Sequence, residues 1–369
     1  MVTRRNALAA GAFAAAALPL TAVMTRGSAS AESTPTGGQT APRTLSRRAG
    51  RVRAGARVSG TSFPVSHLGV RWAGDNPLRI RFRTTSGWAS WQMVNGCDGG
   101  HDDAEVGGHA ALISAPLATS YELDAGSADA VQIIELNTVD GPRDLRLAGA
   151  RRGMPIGDRV VPVRYLSRAA WGADESLRFN PDGTPKFGAD QFFPVQTVTV
   201  HHTAGQNDDP DPAGFVRGLY QFDLDRYGDL GYHLMIDEAG TVYEGRASGS
   251  DSQPMFGPAG ADGRPLMISA AHVGGMNSGN LGIALLGDFT SRQPTAAARS
   301  ALTKVLAGIC AVQRLDPRAA TTFVNPVSGA QLAVDTISGH RDWMATECPG
   351  NAFYPKLPAL RKKVASLLR

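Results

Sequence analysis

The chain has 369 residues, 42% hydrophobic and 19% charged, a globular composition that excludes disorder throughout and a length that suits two or three domains. Glycine (43) and proline (23) exceed their usual share, which argues against a helical bundle, and the only long uncharged apolar stretch lies at the extreme N-terminus, which excludes a membrane transporter. Net charge is +4, and residues 1–31 contribute Arg4, Arg5 and Arg26 without an acid; the remainder is nearly neutral, unlike the basic stripe of a nucleic-acid binder.

In chain order, Thr3-Arg4-Arg5-Asn6-Ala7-Leu8 is followed by a charge-free, alanine-rich run to position 25 and by Ala29-Ser30-Ala31. Paired arginines, a mild apolar run and a small-residue cleavage pattern look like a twin-arginine export signal over 1–31. The expectation is a secreted, extracytoplasmic mature chain without a transmembrane segment. Residues 32–57 read as a basic Pro/Ser/Gly linker carrying Arg43, Arg47, Arg48, Arg51, Arg53 and Arg57. That cluster is either a solvated linker or a contact for an anionic wall polymer or membrane.

Residues 58–160 read as a β-rich accessory module, sandwich-like by default. Leu78–Phe82 alternates apolar and basic residues as a half-buried strand does, and Val131–Leu136 and Leu145–Leu147 look like further strands. Trp88 and Trp91 stand in a loop-like stretch and are read either as sugar-stacking surfaces or as packing residues.

From about Ser167 the pattern becomes mixed α/β, predicting a central mixed sheet flanked by helices. Val195–Val200 reads as a strand, and Pro212–Arg226 as a helix with Asp211 as N-cap. Tyr232–Ile236 and Thr241–Tyr243 read as strands. Leu281–Leu286 reads as a strand buried on both faces, and Val334–Ser338 as one more strand. Pro294–Leu315 and Leu357–Leu368 read as helices.

Five of the eight histidines fall in this second part: His201, His202, His233, His272 and His340. His201 and His202 end one strand, His340 ends another, and Cys348 follows eight residues later. Strand ends of open α/β sheets commonly carry ligand groups. Two imidazoles and a thiolate suit Zn2+ with its fourth position left to water, which the metal makes acidic enough to attack a carbonyl. Three cysteines, Cys97, Cys310 and Cys348, are an odd number for disulfides. Cys310 sits on an apolar helix face and reads as a buried thiol; whether Cys97 is free or paired with Cys310 stays open.

Six local motifs stand in order: Ser167-Arg168-Ala169-Ala170-Trp171-Gly172, Val200-His201-His202-Thr203-Ala204-Gly205, Leu230-Gly231-Tyr232-His233, Val242-Tyr243-Glu244-Gly245-Arg246, Ala271-His272 through Asn277, and Gly339-His340-Arg341-Asp342 through Thr346-Glu347-Cys348-Pro349-Gly350. Residues 165–369 therefore resemble the peptidoglycan recognition proteins and the related zinc N-acetylmuramoyl-L-alanine amidases, which include a phage lysozyme.

The resemblance implies a mixed sheet flanked by helices with a surface groove. It also implies hydrolysis of the amide between the lactyl group of N-acetylmuramic acid and L-alanine in bacterial peptidoglycan. It further implies zinc ligands His201, His340 and Cys348 and catalytic roles for Tyr232 and Thr346, threonine standing where some relatives carry lysine. His272 and Asn277 match the groove wall and are expected to contact substrate. His202 is placed in that substrate set with a packing role as its rival, and His233 is read as structural. A non-catalytic peptidoglycan-binding or sensing protein using the same groove is the alternative, which the presence of Cys348 and Tyr232 weighs against. The protein is expected to act as a monomer without nucleic acid.

Overall fold

The computed structural model describes residues 38–52, 61–74, 78–94, 96, 108–249 and 253–369. The expected signal over 1–31, Arg53, Arg57 and Cys97 lie outside the described residues.

The N-terminal part is a two-sheet sandwich. One four-stranded sheet runs in the order β1-β6-β2-β4, with β1 at Leu45–Val52, β2 at Val65–Ala73, β4 at His109–Ala118 and β6 at Asp129–Asn137. The other is built on β3, Leu78–Thr84, which pairs with Gln92–Val94 and with β5, Ser120–Asp124. Alternation along the strands makes the shared core: Leu68, Val70 and Trp72 from β2 meet Leu78, Ile80 and Phe82 from β3 and Tyr121 and Leu123 from β5.

Of the stretch read as a linker, 32–57, the described residues include a paired strand. Leu45–Val52 pairs along β6 from Leu45↔Asn137 to Val52↔Val131, and Arg47 forms a two-pronged ion pair with the buried Glu135, both bonds 2.9 Å. Arg47, Arg48 and Arg51, which look like solvated punctuation in composition, lie on an edge strand.

The second part holds a six-stranded mixed sheet in the order β7-β10-β9-β11-β8-β12. These strands are β7 Tyr165–Leu166, β8 Thr197–His202, β9 Leu234–Ile236, β10 Val242–Glu244, β11 Asn280–Leu285 and β12 Ile337–Gly339. Helix α1 is the single turn Arg168–Trp171, α2 is Pro212–Tyr227, α3 is Ala296–Gln313 and α4 is Leu357–Ser366. The Asp211 side chain accepts from Gly214 N, capping α2 as expected.

Val198, Val200, Leu281, Ile283, Leu234 and Ile236 face α3 and α4, and the opposite face, through Met235, Tyr243 and Ala284, meets α2. The fold class is therefore the expected one, an α/β domain preceded by an all-β module. Two boundaries differ. The hairpin Met154–Ile156/Arg159–Val161 buries Met154, Ile156 and Val161 in the α3 core instead of the sandwich. The strand read over Val334–Ser338 is two: Gln331–Asp335 pairs with Ala320–Val324, and only Ile337–Gly339 enters the main sheet.

The sandwich docks onto α2. The face of β2, β4 and β6 turned away from the sandwich core supplies Leu112, Ile134 and Leu136, which pack with Phe215, Leu219 and Phe222 of α2. Gly69 lies beneath Phe222, whose ring is so close that a Cβ at position 69 would stand 2.3 Å from it. Both faces of this sheet are thus covered, which explains the nearly continuous apolar run in β6. No described helix is long and apolar enough to cross a membrane.

Candidate metal centre

β8 and β12 run parallel, with Val200 opposite Gly339, so the next residues, His201 and His340, emerge side by side at the same end of the sheet. Their ring centroids are 4.5 Å apart. The chain turns through His340–Asp342 and returns at Cys348, whose thiol meets His201. The candidate ligand atoms of His201, His340 and Cys348 all lie within 4.8 Å of one another, and all three residues are buried.

The donor set fits zinc. His201 Nδ1 and Cys348 Sγ are 3.6 Å apart, and zinc bonds of ~2.1 Å to nitrogen and ~2.3 Å to sulfur at a tetrahedral angle place two such atoms about 3.6 Å apart. The backbone N–H of His202 donates to Cys348 Sγ at 3.3 Å, a donor suited to negative charge on sulfur. Three protein donors, none of them a carboxylate, match an open hydrolytic site better than a closed structural one.

A hydrogen-bond chain sets which nitrogen of His201 faces this position. His272 Nε2 lies 2.9 Å from the carbonyl of Asn280, which only accepts, so Nε2 carries the proton. His272 Nδ1 is then an acceptor, and it lies 3.0 Å from His201 Nε2. His201 Nε2 is therefore protonated, and its Nδ1 lone pair points toward Cys348. Burial, then the neighbouring His201 and His233 imidazoles, push His272 well below its ordinary value, keeping it neutral. His340 Nε2 lies 3.0 Å from Met344 Sδ, an acceptor, leaving the Nδ1 lone pair for the cluster.

Tyr232 is half-buried beside the triad, its ring 5.2 Å from that of His201. Its backbone is pinned by Arg246 N, which donates to Tyr232 O at 2.9 Å. The buried Asp229 fixes the same segment: its carboxylate accepts from Leu230 N and Ala247 N and pairs with Arg168 and Arg178. Burial works to raise that carboxyl, yet Arg168, Arg178 and Arg246 together hold it below its ordinary range. Of these positioning residues sequence reasoning misses Asp229, Arg168 and Arg178, while it reads Arg246 as either bracing its turn or touching glycan. Arg168 and Arg246 stand inside two of the six motifs, but only the fold brings them to Asp229. Thr346 Oγ1 accepts from Cys348 N at 3.3 Å, bracing the cysteine turn.

The three residues expected to contact substrate, His202, His272 and Asn277, are all buried. His202 alternates to the opposite face of β8 from His201, where its Nδ1 accepts from Phe289 N at 3.1 Å and where it is only 3% exposed. Asn277 is wholly buried, its Oδ1 receiving the N–H groups of His272 and Val273. His272 is buried against His201 and borders a small cavity together with Tyr232. Gly282 makes room for it, since a Cβ there would stand 2.5 Å from the His272 ring. His233 is buried between Ile268 O and Gly282 N. Cys310 is a free buried thiol, pushed up to about 12 by burial.

The family profile for N-acetylmuramoyl-L-alanine amidase matches residues 191–351, the stretch that carries the whole triad. Peptidoglycan-recognition protein SD of Drosophila melanogaster is 31% identical over 200 residues, 53% of this chain and 83% of that protein. Human N-acetylmuramoyl-L-alanine amidase is 28% identical over 196 residues, 52% of this chain and 27% of that protein. The crystal structure of Drosophila peptidoglycan recognition protein SD aligns with a TM-score of 0.37 at 28% identity, covering 52% of this chain and 92% of that one. The class that fold and site define is thus a mixed-sheet domain with a buried His/His/Cys centre. The chain belongs to the family of peptidoglycan recognition proteins and N-acetylmuramoyl-L-alanine amidases.

Proposed function

We propose that this protein is a secreted, zinc-dependent N-acetylmuramoyl-L-alanine amidase that hydrolyses the lactyl–L-alanine amide of peptidoglycan. The observation that carries the reading is the buried His201/His340/Cys348 cluster with Tyr232 beside it. A member that only binds the wall has no chemical need for a three-donor centre with a phenol at its edge. Twin arginines and Ala29-Ser30-Ala31 support action outside the cytoplasm, where this substrate lies.

His201, His340 and Cys348 would hold the ion, which when bound polarises a carbonyl and acidifies water. His272 keeps the proton of His201 on Nε2 and so presents Nδ1 as a ligand atom. Tyr232, its ring 5.2 Å from that of His201, would donate its phenolic proton to the oxygen that gains charge as the amide carbon becomes tetrahedral. Thr346 accepts from Cys348 N and retains its own hydroxyl proton, which gives it a second donor role at the same centre.

The test is incubation of the purified protein with peptidoglycan, with and without a chelator, and identification of products by mass. Stem peptides beginning at L-alanine, lost with chelator and restored by zinc, are the expected result. Binding without cleavage by a zinc-loaded sample overturns the enzyme reading in favour of wall recognition.

A further inference from the structure

A second cavity, of about 540 Å3, opens where the sandwich meets α2. Among the described residues its lining includes Arg48 and Arg51 of β1, Arg71 of β2 and Arg226 of α2, with Asp225 as the lone acid. Asp225 is already engaged by Arg48 at 2.5 Å. The Arg71 guanidinium stands over the Phe222 ring at 4.4 Å and donates to the Phe222 carbonyl. Its Nε is buried and has no hydrogen-bond partner. Arg226 lies over Tyr227 at 5.1 Å and within the field of the buried Asp223, and among the described residues neither it nor Arg51 forms a salt bridge.

Among the described residues, four guanidinium groups stand here against the carboxyls of Asp225 and the buried Asp223, and such an excess of positive charge costs free energy through mutual repulsion and desolvation. Burial indeed pulls the Arg71 guanidinium below its ordinary value. A fold keeps such an arrangement where an anion completes it, and guanidinium forks match phosphate oxygens. The volume suits one or two sugar-sized groups. The cavity also shares its seam with the metal centre: Ala110–Leu112 of β4 and Asp223 and Tyr227 of α2, next along from its own lining, border a smaller cavity with Tyr232 and His272.

We propose that this cavity binds the phosphate of a phosphorylated cell-wall glycan, so that the sandwich holds an anionic polymer while the neighbouring domain works on the attached peptidoglycan. The identity of the polymer rests on the wall reading above; the anion site itself does not. A concave, arginine-lined cavity suits a sugar phosphate better than a flat bilayer surface.

The test uses the full chain and a double variant, R51E/R226E, whose unchanged melting temperature serves as the folding control. Two probes are titrated calorimetrically, α-D-glucose 1-phosphate and neutral glucose. Retention is measured on sacculi before and after hydrofluoric acid strips phosphodiester-linked polymers. Expected are binding of the sugar phosphate but not glucose, at least 10-fold stronger retention on untreated sacculi, and loss of both in the variant. Binding of glucose phosphate without any preference between the two sacculi assigns the pocket to a free sugar phosphate and overturns the polymer claim. No heat with the phosphate, or equal retention of variant and wild type, overturns the site itself, as does retention on phosphatidylglycerol vesicles in place of sacculi. Cleavage of stripped sacculi is measured alongside. Its absence in both proteins counts against the amidase reading alone, and its persistence in the variant separates the two.

Discussion

His272 Nδ1 lies 3.0 Å from His201 Nε2, and the far side of the same His272 ring is tied to the Asn280 carbonyl at 2.9 Å. The backbone of β11 therefore dictates the tautomer of His201, a candidate metal-ligand histidine on the neighbouring strand. Partners of this kind typically govern metal affinity by ~10–100-fold. Replacing His272 with Ala is expected to weaken zinc binding by about that factor, read by competition with a chromogenic chelator. Zinc affinity within ~3-fold of wild type in a folded variant would show that the relay does not set the ligand atom.

Cys348 makes a sharper contrast. Cys348→Ala removes one of three donors from a buried site, so zinc stoichiometry and hydrolysis are both expected to vanish while wall binding persists. Sedimentation with peptidoglycan, together with metal analysis, reads both halves. Undiminished hydrolysis by the metal-free variant would contradict the proposed chemistry.

Tyr232→Phe keeps the ring beside His201 and deletes only the donor. A loss of about 10²-fold in kcat with KM little altered is expected, since donors aimed at developing charge act mainly in the transition state. A change confined to KM would assign Tyr232 to substrate binding instead.

How much of this is legible along the chain follows from what kind of information each feature needs. His201, His340 and Cys348 sit in short, ordered motifs, and the Asp211-Pro212 cap is local chemistry, so both can be read from neighbouring residues. His202 and Asn277 cannot be sorted that way. The face that His202 presents depends on where β8 starts its alternation, and Asn277 is consumed by N–H groups that only the folded loop 272–280 brings to it. The arginines of β1 pass for linker because composition does not reveal a pairing partner more than eighty residues downstream, here Glu135. The docking of β2 on α2 is invisible for the same reason: nothing beside Gly69 in the chain shows that Phe222 will lie over it.

That seam is testable by itself. Phe222 is buried between β2 and α2, under the Arg71 guanidinium, and Phe222→Ala is expected to cost ~3–5 kcal/mol of stability. Gly69→Ala is expected to cost ~1–3 kcal/mol by overpacking against the same ring. Combined with Phe222→Ala, which opens the space, the Gly69→Ala penalty should largely disappear. Urea unfolding of the four proteins closes this double-mutant cycle, and strict additivity would show that the two positions do not meet in solution.

Asp223 gives the pH dependence. It is buried near the same seam and accepts from Gly231 N at 3.0 Å. Burial pushes its carboxyl up to about 7, with the Gly231 N–H and then Arg71 and Arg226 pulling the other way. An unfolded aspartate titrates near ~3.9, so between ~4 and ~7 the native state holds a proton that the unfolded chain releases. The Asp223 contribution to stability is then present at the acid end and is lost as pH rises through that window. Asp223→Asn keeps an acceptor for Gly231 N and removes the titration. The variant is expected to gain on wild type by on the order of 4 kcal/mol between pH 4 and pH 8, since each of the roughly three pH units separating the folded from the unfolded titration is worth about 1.4 kcal/mol. His67 and His233, held down to about 4 by burial, titrate in both proteins and cancel from the difference. A stability difference that stays flat with pH, measured by urea unfolding at four pH values, would mean that Asp223 is ionised in the native state throughout.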